Sequence, residues 1–353
     1  MWGTMTFEIR NLRKHVFLMV CRFACSLIVL TFVGVVSAQA QNDPLSSWND
    51  GATKTVLKSF IADVTTPGRA TFVPPQDRVA VFDNDGTLLA EMPNINLAFA
   101  QDQVRRLSGE HPEWRSNEPF KAILDDDRAY LSQLSNDDTL KLALAVFAGT
   151  DEKTFEQTAS AWLRTASNPR LHRPYQSLVY QPQLELLQLL RANGFKVYLV
   201  SGGEVDFLRG FADAEYGIPP EQVIGSSVRY GYKVVDGQPT IERMAQLGSF
   251  NDGAGKVANI QLHIGKRPIL AFGNSDGDEP MLAMTAATDK PHLVLVLHHD
   301  DPDREFAYDR TAPSWGRLDK LWDEANEHHW QIVSMKKDFG LVFAPQMKAN
   351  VNK

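Results

Sequence analysis

Residues 79–91, VAVFDNDGTLLAE, limit what this chain can fold into more than any other stretch. Residues 79–82 are wholly apolar, which suits a strand covered on both faces of a parallel sheet. Asp83 and Asp85 follow at once, and Gly86 comes next. Glycine lets the backbone turn immediately, which would keep both carboxylates at the strand end. Asn84-Asp85-Gly86 is also a common hairpin-turn sequence, so the stretch by itself fits a plain turn as well as a site. An EF-hand loop is excluded, because glycine stands fourth counted from Asp83 and that loop needs it sixth.

The rest of the chain supplies the context. Val56, Leu57, Phe60, Ile61 and Val64 recur at helical spacing and predict a helix over 48–64, closed near Pro67 and Gly68. From 94 to 165 nearly everything reads as helix, over 97–107, 120–134, 139–147 and 155–163, with no clear strand. Helix and strand then alternate: helix 181–192, strand 195–200, helix 205–214 and a short strand 222–225. A hairpin over 230–244, turning at Asp236-Gly237, comes next. Helix 256–264, strand 268–272, a helix from Met281 and strand 292–297 follow, then a helix over 318–328. The expected class is α/β, a Rossmann-like parallel sheet with helices on both faces and an inserted all-helical cap. The expected core spans 41–90 and 176–353, with the cap over 91–175.

Arg10, Arg13 and Lys14 precede an apolar run over 16–36 that ends in Ser37-Ala38-Gln39-Ala40. That is the pattern of a secretory signal peptide over 1–40, cut after Ala40. An uncleaved anchor is the weaker reading, because the stretch 25–38 is short of the ~20 residues a span needs. The chain is therefore expected in the periplasm, without stable membrane association after cleavage. Its two cysteines, Cys21 and Cys25, lie within the signal, so the mature chain would have no disulfide and must rely on its core. Cleavage takes Arg10, Arg13, Lys14, Arg22 and Glu8 from 36 basic and 43 acidic residues. That leaves 32 against 42, a net charge of −10. Such a balance argues against nucleic acid or anionic membrane as a partner.

In a parallel α/β sheet, ligands gather beyond the carboxyl ends of the strands. Three predicted strand ends carry polar groups: Asp83 and Asp85 after Phe82, Ser201-Gly202-Gly203 after Val200, and Asn274-Ser275-Asp276-Gly277-Asp278 after Gly273. Oxygen-rich clusters of this kind suit Mg²⁺, which shares its shell with phosphate. At this point the residues match a known pattern. FDNDGTL resembles the D-x-D-G-T signature of the haloacid dehalogenase (HAD) superfamily, and VYLVSGG is similar to its second motif. Lys256 and GNSDGDEPML resemble the third and fourth motifs, in order, across 79–297. The helical insertion lies where the cap of phosphoserine-phosphatase-like members lies.

The resemblance implies a Mg²⁺-dependent phosphatase acting on a small phosphorylated metabolite, phosphoserine being one candidate. Asp83 would attack phosphorus and form an aspartyl-phosphate, and Asp85 would serve as general acid and then base. Ser201 and the Gly202 N–H would hold phosphate oxygens, and Lys256 would balance the charge on Asp83 and the phosphoryl group. Asp83, the main-chain carbonyl of Asp85, residue 274 and Asp278 would hold the metal. Here the chain departs from the pattern, since the fourth motif usually begins Gly-Asp and this one reads Gly273-Asn274. An amide oxygen can ligate Mg²⁺ but brings no charge, and Asp276 is a candidate to compensate.

Plainer readings stand beside these. Ser201-Gly202-Gly203 alone reads as a helix cap, and Lys256 alone as a solvated lysine with Lys266 as its rival. His298 and His299 before Asp300, Asp301 and Asp303 read as a solvated loop rather than a second metal site. His328-His329 would close a helix. Phe99, Trp114, Phe120, Tyr130, Phe147 and Trp162 read as cap core, and Glu91 and Arg209 as residues near the site mouth. Gly273-Asn274-Ser275-Asp276-Gly277 is also a literal G-x-S-x-G, the nucleophile elbow of α/β-hydrolases, with Ser275 as nucleophile and later Asp and His residues in order. That reading leaves only about a fifth of the chain for the rest of such a fold and leaves FDNDGT unexplained. A third reading, an exported protein that binds a phosphorylated metabolite without cleaving it, rests on Asn274 alone.

Overall fold

A computed structural model describes residues 43–345, and the proposed signal peptide lies outside the described residues. The described residues from Pro44 on belong to one compact unit. Its centre is β1 (Val79–Phe82), buried at every position. Side chains alternate across a strand. Ala80 and Phe82 accordingly enter one apolar cluster, and Val79 and Val81 enter another on the opposite face. The expectation of a sheet covered on both faces follows from this alternation.

β1 pairs in parallel with β4 (Lys196–Glu204) on one side and β7 (Leu270–Gly273) on the other. Phe82 stands opposite Leu199 and Phe272, so β1 and β7 end nearly level, beside the point after Val200 where the regular pairing of β4 breaks. β5 (Val223–Val235) continues outward from β4, and β8 (Leu293–Asp300) and β10 (Gln331–Ser334) continue outward from β7, all in parallel. With β6 (Gln238–Ser249) at one edge and β9 (Ala307–Tyr308) pairing antiparallel with β8, the order β10-β8-β7-β1-β4-β5-β6 places the chain's reversal of direction between β1 and β7, the crevice where open α/β sheets bind ligands. α1 (Ala52–Thr65), α7 (Gln181–Ala192) and α8 (Val205–Tyr216) cover one face through Leu57, Leu187 and Leu208. α9 (Ala254–His263), α10 (Glu279–Ala286) and α11 (Lys320–Glu327) cover the other through Ile260, Leu282 and Leu321.

Between β1 and α7 lie α2 (Ile95–Leu107), α3 (Phe120–Leu124), α4 (Arg128–Leu131), α5 (Asn136–Phe147) and α6 (Glu152–Thr165). A two-residue pair, β2 (Ser167–Asn168) and β3 (Arg173–Pro174), follows them. Phe99 packs against Phe147, Phe155 and Trp162, and Trp114 stacks between His111 and Phe120, so these aromatics build core as expected, whereas Tyr130 is half-buried and donates its hydroxyl to Asp138 at 3.2 Å. The single helix expected over 120–134 is two, because Asp126 adopts the left-handed conformation (φ 55°) and ends the first.

Two further expectations change. The short strand at 222–225 and the hairpin at 230–244 are one feature. β5 runs unbroken into a long hairpin with β6 (Gln238–Ser249), and Asp236 and Gly237, both at positive φ, make its turn. From this hairpin Arg243, wholly buried, donates to Glu204 (2.7 Å) and to the Phe147 carbonyl (2.9 Å), pairs with Asp206 and lies over the Phe155 ring. The segment 298–301 is not a solvated loop. His299 lies buried one residue before the end of β8, its Nε2 2.8 Å from the Gly86 carbonyl and its Nδ1 3.1 Å from Glu305, while Asp301 pairs with Arg304. His328 closes α11, and its Nε2 pairs with Glu324 at 3.3 Å.

Candidate active site

The ends of β1 and β7 and the break in β4 assemble the site. The Asp83 N–H donates to the Phe272 carbonyl at 3.0 Å, which extends the ladder one residue and fixes the side chain at the rim. The backbone then folds over at once. Thr87, Leu88 and Leu89 all donate to the Asn84 carbonyl, and Gly86 adopts φ 77°. Glycine is required here on a second count, because a Cβ at 86 would lie 2.1 Å from Asn274 Nδ2.

Lys256 reaches this rim from α9. Its buried Nζ donates to Asp83 Oδ1 and Asp278 Oδ1, both at 2.6 Å, and to the Val200 carbonyl at 2.9 Å. Burial alone would lower the lysine pKa, but the carboxylates of Asp278 and Asp83 outweigh it and hold the ammonium above its ordinary range. Burial and the neighbouring Asp278 push Asp83 well up, against the pull of Lys256. Lys266 pairs with Asp77 in solvent and takes no part.

Asp278 accepts at Oδ2 from the N–H groups of Asn274 (2.9 Å) and Ser275 (3.1 Å), so both its oxygens hold the loop and the lysine. Asp276 turns away from the site: its Oδ1 accepts from the N–H groups of Asp319 and Leu321, both at 2.9 Å, at the start of α11. It does not compensate for Asn274. Ser275 Oγ lies 3.4 Å from Asp278 Oδ2, and among the described residues no histidine hydrogen-bonds it. His328 instead pairs with Glu324 on α11. The nucleophile elbow has no base.

Asp85 is held differently. Its Oδ1 accepts from Asn84 Nδ2 (2.9 Å), and its Oδ2 from Asn96 Nδ2 (3.1 Å) and Asn94 Nδ2 (3.3 Å). Tyr216 on α8 donates to Asn84 Oδ1 at 2.8 Å and so steadies the amide that steadies the acid. Burial pushes Asp85 up to about 6, against the hydrogen bonds from Asn94, Asn84 and Asn96. Asn94 also caps α2, its Oδ1 accepting from the N–H groups of Asn96 and Leu97.

Ser201 and Gly202 sit in an irregularity of β4, between the register pairs at Val200 and Glu204. Ser201 Oγ accepts from the Gly203 N–H at 3.1 Å, and Gly202 is exposed. Asn251 pins the Ser201 carbonyl at 2.7 Å, and Ser226 pins the Gly202 carbonyl at 2.8 Å. Arg209 is not at the mouth; it pairs with Asp206 along α8. Glu91 is not at the mouth either. It is wholly buried, and its Oε1 accepts from Asn274 Nδ2 at 3.0 Å. Burial pushes its carboxyl well up, with Tyr308 opposing and Asp85 and Asp83 adding to the rise. Asn94, Asn96, Tyr216 and Asn251 were not anticipated. The Ser/Asn caps of helices look alike in sequence, and only Asn94, at the start of the stretch read as helical and shortly after Asp85, carried a signal.

Among the described residues no three carboxylate, imidazole or thiolate groups converge enough to cage a metal by themselves. A different test favours a cation. Asp83, Glu91 and Asp278 are buried around this rim, Lys256 bonds only Asp83 and Asp278, and buried carboxylates without compensation are costly. Mg²⁺ fits such a rim, since it takes one or two carboxylates and completes its shell with water and phosphate.

The sequence profile of the haloacid dehalogenase-like hydrolases matches residues 80–283. No curated protein matches the sequence. Among solved structures, a conserved, functionally unknown protein from Anaerococcus prevotii DSM 20548 shares the fold with a TM-score of 0.51 at 16% identity. The match covers 84% of this chain and 96% of that one. A phosphoserine phosphohydrolase-like protein from Francisella tularensis subsp. tularensis SCHU S4 scores 0.37 at 19% identity, over 63% of this chain and 88% of that one. A probable phosphoserine phosphatase from Vibrio cholerae scores 0.37 at 17% identity, over 72% and 66%.

Proposed function

This chain belongs to the haloacid dehalogenase-like hydrolase family, and from that premise we propose that it is an exported, Mg²⁺-dependent phosphatase of small phosphomonoesters. The observation that carries the reading is Lys256, buried 2.6 Å from both Asp83 and Asp278 on the rim that also holds Asp85. Lys256 binds Asp83 at Oδ1, and Oδ2 is the oxygen that attacks phosphorus. The bond from phosphorus to the ester oxygen breaks as the bond to Asp83 forms. Asp85, protonated over a useful range with its pKa near 6, gives its proton to the departing alkoxide. The resulting carboxylate then takes a proton from water, whose oxygen attacks the aspartyl-phosphate and releases inorganic phosphate. Ser201 Oγ–H and the exposed Gly202 backbone are suited to hold the phosphoryl oxygens, and Lys256 offsets the charge that builds on Asp83.

Asp83, the Asp85 main-chain carbonyl and Asn274 would hold the cation, and Asp278 would join them directly only by leaving its loop N–H groups. When bound, Mg²⁺ screens the negative charge of the phosphate and of the attacking carboxylate. The helices over 95–165 are read as the cap that excludes water and selects the leaving group. Phosphoserine heads the substrate panel because of the resemblance to that branch. Hydrolysis of the panel should require Mg²⁺, stop with chelator and vanish in Asp83→Asn. Activity that survives both treatments would remove the reading. Export is a separate element, checked by N-terminal sequencing of the protein from a periplasmic fraction, with Gln41 expected first.

A further inference from the structure

We infer that Glu91 supplies the carboxylate charge missing at position 274, and that it acts through the Asn274 side chain as a positioning residue of the cation site. The inference rests on the cation-dependent reading above. A bound cation would favour the ionised form of Glu91, which only accepts hydrogen bonds. The Glu91 Oε1 contact at 3.0 Å therefore obliges Asn274 to turn its NH₂ toward Glu91. The opposite end, Oδ1, then faces Thr87, whose hydroxyl donates to it at 3.0 Å. Thr87 alone could not impose this choice, since a hydroxyl donates or accepts. Glu91 is what aims the amide oxygen.

The niche around Glu91 is cut to admit a carboxyl group. A Cβ on Gly86 would lie 2.6 Å from Oε1. One on Gly316, from the far end of the chain, would also lie 2.6 Å from Oε1 and 3.1 Å from Cδ. Glu91 has no exposed surface, and its Oε2 is buried without a hydrogen-bond partner. Lys256 is spent on Asp83 and Asp278. A cation between Asp83 and Asn274 would give this carboxylate its counter-charge. Residues behind metal ligands commonly govern affinity in this way.

The test titrates Mn²⁺ alone, followed by electron paramagnetic resonance, and Mg²⁺ alone, followed by calorimetry, with no substrate present. Glu91→Gln should weaken binding about 10- to 100-fold. The double variant Glu91→Gln/Asn274→Asp moves the charge one residue inward and should bind within a few-fold of the natural protein. Asn274→Asp alone puts two carboxylates side by side, so its metal-free melting temperature should fall and recover on adding Mg²⁺. Unchanged affinity in Glu91→Gln overturns the inference. So does a double variant that is no better than the single one. If Glu91→Gln fails to fold, the double variant decides: native melting and near-natural affinity support the inference, and failure of either overturns it. A natural protein that binds neither ion would instead overturn the cation-dependent reading itself.

Discussion

The candidate site has two halves built on different charge plans. On one side Asp83 and Asp278 share a single buried lysine at 2.6 Å, a compact triad with its own counter-charge. On the other, Asp85 is held by amide groups of Asn84, Asn94 and Asn96, and Glu91 by the amide of Asn274. Amides orient a carboxylate without neutralising it. The first half carries a counter-charge within the fold. The second half is incomplete until a proton or a cation reaches it, and it is there that pH and metal should act.

The comparison breaks most directly at the nucleophile. Asp83→Asn should lower kcat by about 10⁴-fold or more on the best ester while the circular dichroism spectrum stays native. Asp85→Asn should cost about 10²- to 10⁴-fold in kcat, and less for esters whose alkoxide is a good leaving group, because such groups need less protonation. Lys256→Met tests the compensated half by stability: it leaves Asp83 and Asp278 facing each other, and denaturant unfolding should show a loss of about 3–5 kcal/mol.

The uncompensated half is tested by pH. In chelator, Asp85 titrates near 6 in the folded chain against an ordinary value of 3.8. The folded state thus holds the proton more tightly. The protonated form contributes its full share below pH 4, and stability falls as pH rises through about 6, by at most about 3 kcal/mol from this residue. Glu91 and Asp83, also pushed up, extend the fall to higher pH. Saturating Mg²⁺ should flatten the curve, as thermal melts across pH would show. The smallest effect belongs to Asn94→Ala, which removes a helix cap worth about 1 kcal/mol. It also deletes a hydrogen bond that lowers the Asp85 pKa, so the basic limb of the kcat profile should move up in pH.

What the sequence displayed, and what it hid, divides along the same line. The strand ends were legible because β1, β4 and β7 announce themselves as short apolar runs, and Asp83, Ser201 and Asn274 follow those runs directly. Lys256 was legible because it opens a helix. The uncompensated half comes from side chains whose roles depend on three-dimensional approach. Glu91 looked like a rim residue, yet Gly86 and Gly316, 230 positions apart, leave it room inside. Asp276 looked like a spare ligand, but two N–H groups of α11 claim it. The hairpin was read short because β5 changes partway from a buried strand to an exposed one, and its burial pattern breaks there. The helix at 120–134 was read long because a left-handed aspartate leaves no mark in a helical pattern.

Arg243 ties three pieces that sequence reading kept separate: the long hairpin, the first turn of α8 through Glu204 and Asp206, and the inserted helices through Phe147 and Phe155. A guanidinium with no path to water cannot release its anions without leaving charge stranded in a dry interior. Parting the inserted helices from α8 and the hairpin would therefore mean breaking this knot, so Arg243 fastens the insertion to the sheet from the far side of the molecule's connecting segments.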